Sequence, residues 1–106
     1  MATYYFAIAS QDFLLNEEPL EEVLRERTSH YKNLQKMIDF WLVINPTFIH
    51  APEMINIKKQ LAKPSVAILS HNPKFIEWLK LRFGFVLTGE FESPTNSINN
   101  ALDSDF

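Results

Sequence analysis

The residues able to do chemistry are few and scattered. His30, His50 and His71 fall in separate segments, and none stands at a metal-ligating spacing from another. Glu26 and His30 are four apart on one helix face, but a di-iron carboxylate site needs Glu-x-x-His twice, with further carboxylates. A solvated pair that supports its helix is the simpler reading. Ser70 and His71 are neighbours, yet adjacent side chains in an extended segment point apart, and no nucleophile elbow surrounds Ser70. With two glycines in total, Gly84 and Gly89, no Gly-rich phosphate loop can form. Glu17, Glu18, Glu21, Glu22 and Glu26 could suggest acid–base work. Most of them fall where a helix begins, and there the dipole favours negative charge. There is no cysteine, hence no thiolate nucleophile, no Cys-based metal site and no disulfide. The expectation is a protein with no catalytic residue, no metal and no cofactor.

One polar residue is out of place. Ile38-Asp39-Phe40-Trp41-Leu42-Val43 reads as a strand apolar on both faces, with Ile38, Phe40 and Leu42 on one side and Asp39, Trp41 and Val43 on the other. Such a strand belongs in the middle of a sheet that is covered on each face. A carboxylate there needs a partner, water or a function. Arg27 and Arg82 lie, by helical angle, near the buried stripes of two helices, so either could reach Asp39. Two readings stay open. One is an internal ion pair that fixes helix register. In the other, Asp39, Phe40, Trp41 and Arg82 border a surface that docks a protein, since arginine and aromatic residues are favoured as binding anchors.

The elements that must position these residues follow from periodicity and punctuation. Thr3 to Ala9 is a strand, with Tyr4, Phe6 and Ile8 on one face and Tyr5, Ala7 and Ala9 on the other. Phe13-Leu14-Leu15 tucks the following connection against the core. Pro19 opens a helix that runs to about Lys36, burying Leu20, Val23, Leu24, Tyr31 and Leu34. Asn45-Pro46 breaks the chain, and Pro52 opens a short helix over about 53–61. Ser65 to Ser70 is a strand apolar on both faces. Asn72-Pro73 caps and starts a helix that buries Phe75, Ile76, Leu79 and Phe83 and ends at Gly84. Phe85 to Phe91 is the last strand. The order fits an α+β fold, a four-stranded, mainly antiparallel sheet packed with helices in a ferredoxin-like sandwich, the long helices on one face. The connection over 45–64 is long for a hairpin and makes that pairing the weak point. Residues 1–94 form one domain, and the Ser-, Asn- and Asp-rich segment 95–106 is expected to be loosely attached.

Composition narrows the partners. A length of 106 residues, 46% of them hydrophobic and 22% charged, suits one globular domain with a real core. The net charge of −3, with acids and bases mixed, argues against nucleic acid. No apolar run approaches a membrane span. The first residues lack the basic and long apolar regions of a secretion signal, so the chain is expected to act in the compartment where it is made. Nine Phe, three Tyr and two Trp are many for this length and suggest rings at a partner surface as well as in the core.

Several segments together carry a resemblance. Phe13-Leu14-Leu15, Glu17-Glu18-Pro19, Glu21 to Arg27, Ile38 to Val43, Ala51-Pro52-Glu53, Phe75-Ile76-x-Trp78-Leu79-Lys80-Leu81-Arg82 and Gly89-Glu90-Phe91-Glu92 fall in the expected order over about residues 1–95. They resemble the small accessory protein family of the magnesium-protoporphyrin IX monomethyl ester oxidative cyclase of cyanobacteria and plastids. The resemblance implies a non-catalytic factor that binds the cyclase's catalytic subunit, a membrane-associated di-iron protein, and supports protochlorophyllide formation. It implies a place in the cyanobacterial cytoplasm or plastid stroma, at the thylakoid surface through the partner. Asp39, Phe40 and Arg82 match the family motif as partner contacts. Ala9 permits close packing nearby, and Trp41, Trp78 and Lys80 rank second. The alternatives are a tetrapyrrole-binding carrier using His50 or His71, and a small ferredoxin-like oxygenase.

Overall fold

The computed structural model describes residues 1–105; Phe106, the last residue of the expected tail, lies outside the described residues. Four strands, β1 (Ala2–Ser10), β2 (Phe40–Ile44), β3 (Ser65–Ser70) and β4 (Leu87–Ser93), form one sheet in the order β2-β3-β1-β4, every pairing antiparallel. The α-helices are α1 (Leu20–Asn33), α2 (Ile55–Gln60) and α3 (Pro73–Phe83). This is the ferredoxin-like strand order, as the sequence led one to expect.

The strand parities hold. Ala7, Ala9, Phe40, Val66 and Ile68 face α1 and α3, where they meet Leu20, Tyr31, Phe75, Leu79 and Phe83. Phe6, Ile8, Val43, Ala67 and Leu69 face the other way, onto Phe48, Ile49 and Met54 of the 45–64 connection. That connection folds back over the sheet as two 3-10 turns and α2, and this is why β2 and β3 pair despite its length. The close approach at the two alanines is real: both are buried beneath the helices. On the opposite face Gly89 does a similar service. A Cβ there would lie 2.7 Å from the Phe6 ring, its partner across the β1–β4 ladder.

Several boundaries differ from expectation. β2 is an edge strand, not a central one, and β1 and β3 hold the middle. It is apolar on both sides because both faces of the sheet are covered out to this edge. α1 stops at Asn33 rather than Lys36. Gln35 takes a left-handed φ of 54°, Gln35 N–H donates to the Lys32 carbonyl and Lys36 N–H to that of Tyr31, a Schellman ending without glycine. β4 starts at Leu87; Phe85, one residue past the Gly84 turn (φ 74°), is 84% exposed.

The segment after Pro94 is attached, contrary to expectation. Ile98 and Ala101 are buried in the second core. Thr47 N–H donates to the Asp103 carbonyl at 3.0 Å and Asp105 N–H to that of Asn45 at 2.7 Å. Its polar composition concealed two apolar anchors, each spaced to meet the 45–64 connection.

Candidate functional site

α1 and α3 lie side by side on the sheet and run in opposite directions, so each end of the pair gathers different residues. At the start of β2, Asp39 precedes the first strand residue, and its carbonyl accepts from His71 N–H (3.1 Å) and Ser70 Oγ (3.0 Å). The pleat would aim its side chain away from the helices. Because the residue lies outside the ladder, the half-buried carboxylate instead reaches Tyr31 of α1, whose hydroxyl donates to Asp39 Oδ1 at 2.9 Å. The same hydroxyl accepts from Arg27 Nη2 at 2.7 Å. The Arg27 guanidinium sits 3.8 Å from the centroid of the Phe75 ring and 5.7 Å from that of Phe40. Asp39 therefore does find an arginine, through a hydroxyl, and the arginine is Arg27.

Arg82 is elsewhere. It lies at the far end of α3, about 10 Å along the axis from Phe75 by helical rise. There it lies exposed, with Nη1 4.0 Å from Glu18 Oε2. The sequence-level grouping of Asp39 with Arg82 is thus not a contact. The two mark opposite ends of one face.

The other expected contact residues divide by burial. Phe40 is 6% exposed, edge-on to both Tyr31 and Phe75, so it is floor rather than surface. Ala9 is also buried, but it lines a groove with Phe13 and Phe85 near the Arg82 end. Trp41 is half-buried on the opposite face of the sheet, beside Tyr4 and His71. Lys80 is exposed, but its Nζ donates to the carbonyls of Gly84 (2.9 Å) and Val86 (2.7 Å), which closes the end of α3. Trp78 is 47% exposed and stacks on Phe75.

Trp78 begins something the motifs did not single out. Trp78 and Leu81, three apart, are both exposed on α3, Leu81 at 85%, with Arg82 beside them. Phe85 is exposed separately, past the Gly84 turn, edge-on to Phe13 at 6.0 Å. The signal was present in the sequence: Trp78 and Leu81 lie off the arc of Phe75, Ile76, Leu79 and Phe83, so they cannot share its burial. Leu34, Met37 and Ile38, in and after the turn that ends α1, are exposed too. Exposed large apolar groups, where they gather, mark interaction surfaces. Among the described residues no three His, Asp or Glu side chains converge, and no helix is long and apolar enough to cross a membrane.

Fold and face together define a small α+β sandwich of ferredoxin-like strand order whose helical side leaves Trp78 and Leu81 of α3 exposed. Within that class, the chain belongs to the Ycf54 protein family, which it matches over residues 2–93. It is 59% identical over 103 residues to the ycf54 protein of Pyropia yezoensis, covering 97% of this chain and 93% of that one. It is 37% identical to the chloroplastic YCF54 protein of Arabidopsis thaliana, covering 95% of this chain and 46% of the relative. Among solved structures, the Ycf54 protein of Synechocystis sp. PCC6803 superposes with a TM-score of 0.94 at 54% identity, covering 98% of this chain and 97% of that one. A protein of Nostoc sp. PCC 7120 gives the same TM-score and identity, covering 97% and 95%.

Proposed function

We propose that the protein is a non-catalytic assembly or stability factor that binds the catalytic di-iron subunit of the magnesium-protoporphyrin IX monomethyl ester oxidative cyclase. In this role it supports protochlorophyllide formation in chlorophyll biosynthesis. Two facts support the family half of the reading: the motif resemblance, and relatives that come from a cyanobacterium, red algae and a plant, the plant one chloroplastic. The structural observation that carries the docking half is the exposure of Trp78 and Leu81 on α3, with Trp78 beside the Asp39–Tyr31–Arg27 cluster and Leu81 beside Arg82. In this reading the chain works in the cyanobacterial cytoplasm or plastid stroma and meets the thylakoid through its partner. The test is affinity purification from a photosynthetic host. Wild-type chain brings down the di-iron subunit, and folded Asp39→Ala and Arg82→Ala chains bring down less. Recovery at wild-type levels by both variants would remove those residues from the site.

A second reading, a tetrapyrrole carrier, has one observation in its favour. His71 Nδ1 lies 2.9 Å from the Thr3 carbonyl oxygen, which can only accept, so Nδ1 donates, and in the neutral ring the lone pair is on Nε2. Tyr4 and Trp41 flank the ring, at 4.5 and 5.2 Å between centroids. An imidazole fixed in this way can ligate a metal. His50 is less suited, because its Nε2 faces Asp105 at 3.4 Å. Absorbance titration with a magnesium porphyrin decides: no spectral shift, no carrier. Turnover of a tetrapyrrole by the purified chain alone would overturn both readings in favour of an enzyme.

A further inference from the structure

We propose that Arg27 is the recognition group of this docking face, that it receives a carboxylate side chain of the protein partner, and that Tyr31, Asp39, Phe40 and Phe75 are the residues that position it. The inference rests on the docking reading and specifies its chemistry. A buried ion pair that served only to fix helix register would set the carboxylate directly on the guanidinium fork. Here a tyrosine hydroxyl is interposed, so Asp39 orients the arginine without occupying it. The fork has five N–H donors. One goes to Tyr31, and the Nε–H is buried with no acceptor. The remaining three have no protein acceptor among the described residues, and Arg27 lines the groove between α1 and α3 with Val23, His30 and Trp78.

Leaving a buried donor unsatisfied is unfavourable, and such groups in native structures call for an explanation. Holding a guanidinium flat on Phe75, edged by Phe40 and tethered by Tyr31, is one. The stack fixes the fork in advance, so little side-chain freedom is lost when a carboxylate arrives. Arg27 and Lys36 face the carboxylate of Asp39, already taken by the Tyr31 hydroxyl, and Glu26, exposed in the lining of the groove. The unpaired donors of Arg27, rather than net charge, therefore call for an anionic occupant. The exposed face of Trp78, stacked on the same Phe75 that carries Arg27, gives an apolar seat beside the fork. The occupant this geometry fits is an acidic residue with an apolar neighbour.

The experiment measures the affinity of the full chain for the detergent-solubilised cyclase catalytic subunit, using wild type, Arg27→Lys, Asp39→Asn and the double variant. Expected are a loss of about tenfold or more for Arg27→Lys, a smaller loss for Asp39→Asn, and a double variant no weaker than Arg27→Lys alone, since groups acting through one contact are not additive. Wild-type affinity in Arg27→Lys overturns the proposal. So do losses that multiply in the double variant, because Asp39 would then touch the partner itself. Either result leaves the docking reading standing, whereas a wild-type chain that does not bind removes both. A second measurement needs no variant to fold: the Arg27 Nε–H nitrogen–proton resonance of the wild type, shielded over Phe75, shifts when the subunit is added. An unmoved resonance at saturation overturns the proposal.

Discussion

The two ends of the α1–α3 pair hold the same ingredients and use them differently. Each has an arginine, an acid and aromatic rings. At the Asp39 end the guanidinium is packed on Phe75, tethered by Tyr31 and oriented by a carboxylate 2.9 Å beyond that hydroxyl. At the Arg82 end the arginine and Glu18 approach only to 4.0 Å, in solvent, beside an almost fully exposed Leu81 and Phe85. A tethered charge is positioned before any partner arrives, whereas a free charge steers an approach and settles late. The comparison separates what holds the fold from what is left for contact, and substitutions at the two ends should differ accordingly.

The largest effect expected is that of Phe40→Ala. The ring is 6% exposed and lies edge-on to both Tyr31 and Phe75. Its removal should lower unfolding stability by about 3–5 kcal/mol, as for other buried aromatic truncations. Denaturant titration checks this. Loss of docking in this variant is expected as a consequence of the disturbed Arg27 floor, and a stability change under about 1 kcal/mol would show that the ring is not core after all.

Tyr31→Phe is next and tests the tether alone. It keeps the ring and deletes the hydroxyl that links Arg27 to Asp39. Asp39 is half-buried, so water can replace part of the lost bond, and a decrease of about 1–2 kcal/mol is expected. If the Tyr31 hydroxyl contributes nothing, the Asp39 end is no better organised than the Arg82 end, and the contrast between them fails. Gln35→Gly works in the opposite direction at the same end. Gln35 holds a left-handed φ of 54° that glycine adopts without penalty, so the variant should be more stable by up to about 1 kcal/mol, read as a raised Tm.

Much of this architecture could be read in the sequence because local rules and tertiary packing agree there. Asn72 caps α3 through the Lys74 N–H, Gly84 ends it, and the alternation in β1 assigns Ala7 and Ala9 to the helical side. The misjudged features are those that tertiary context decides. β2 looked central because it is apolar on both sides, but the second covering layer comes from the 45–64 connection and from Ile98 and Ala101, whose spacing carries no helical or strand period. The sequence offered Asp39 two arginines, Arg27 and Arg82, without choosing between them, and the structure chooses Arg27. Helical angle says which side of a helix a residue takes, but not which end of the sheet it reaches. Arg27 had the right angle and the right height. What identifies it is Tyr31, one turn along the same helix, and a tyrosine in a buried stripe draws no attention until its hydroxyl is seen to have partners at 2.7 and 2.9 Å.

Arg82→Ala is expected to have the smallest effect on the fold, and for that reason it separates the ends most cleanly. Its ion pair with Glu18 is long, its side chain is 44% exposed, and exposed pairs of this kind contribute little. The stack of its guanidinium against Phe83, at 5.4 Å, adds only a weak contact at the surface. Stability should change by no more than about 0.5 kcal/mol. Docking should respond differently. On the proposed docking, a rim charge beside exposed apolar groups acts mainly on the rate of encounter, so the variant should associate more slowly with the proposed partner, the cyclase catalytic subunit, and show a shallower dependence on salt, with dissociation little altered. Stopped-flow or surface-based kinetics at several ionic strengths reads both rates. A variant that associates normally but dissociates faster would mean that Arg82, too, is buried against the partner, and the distinction between a positioned end and a steering end would not survive.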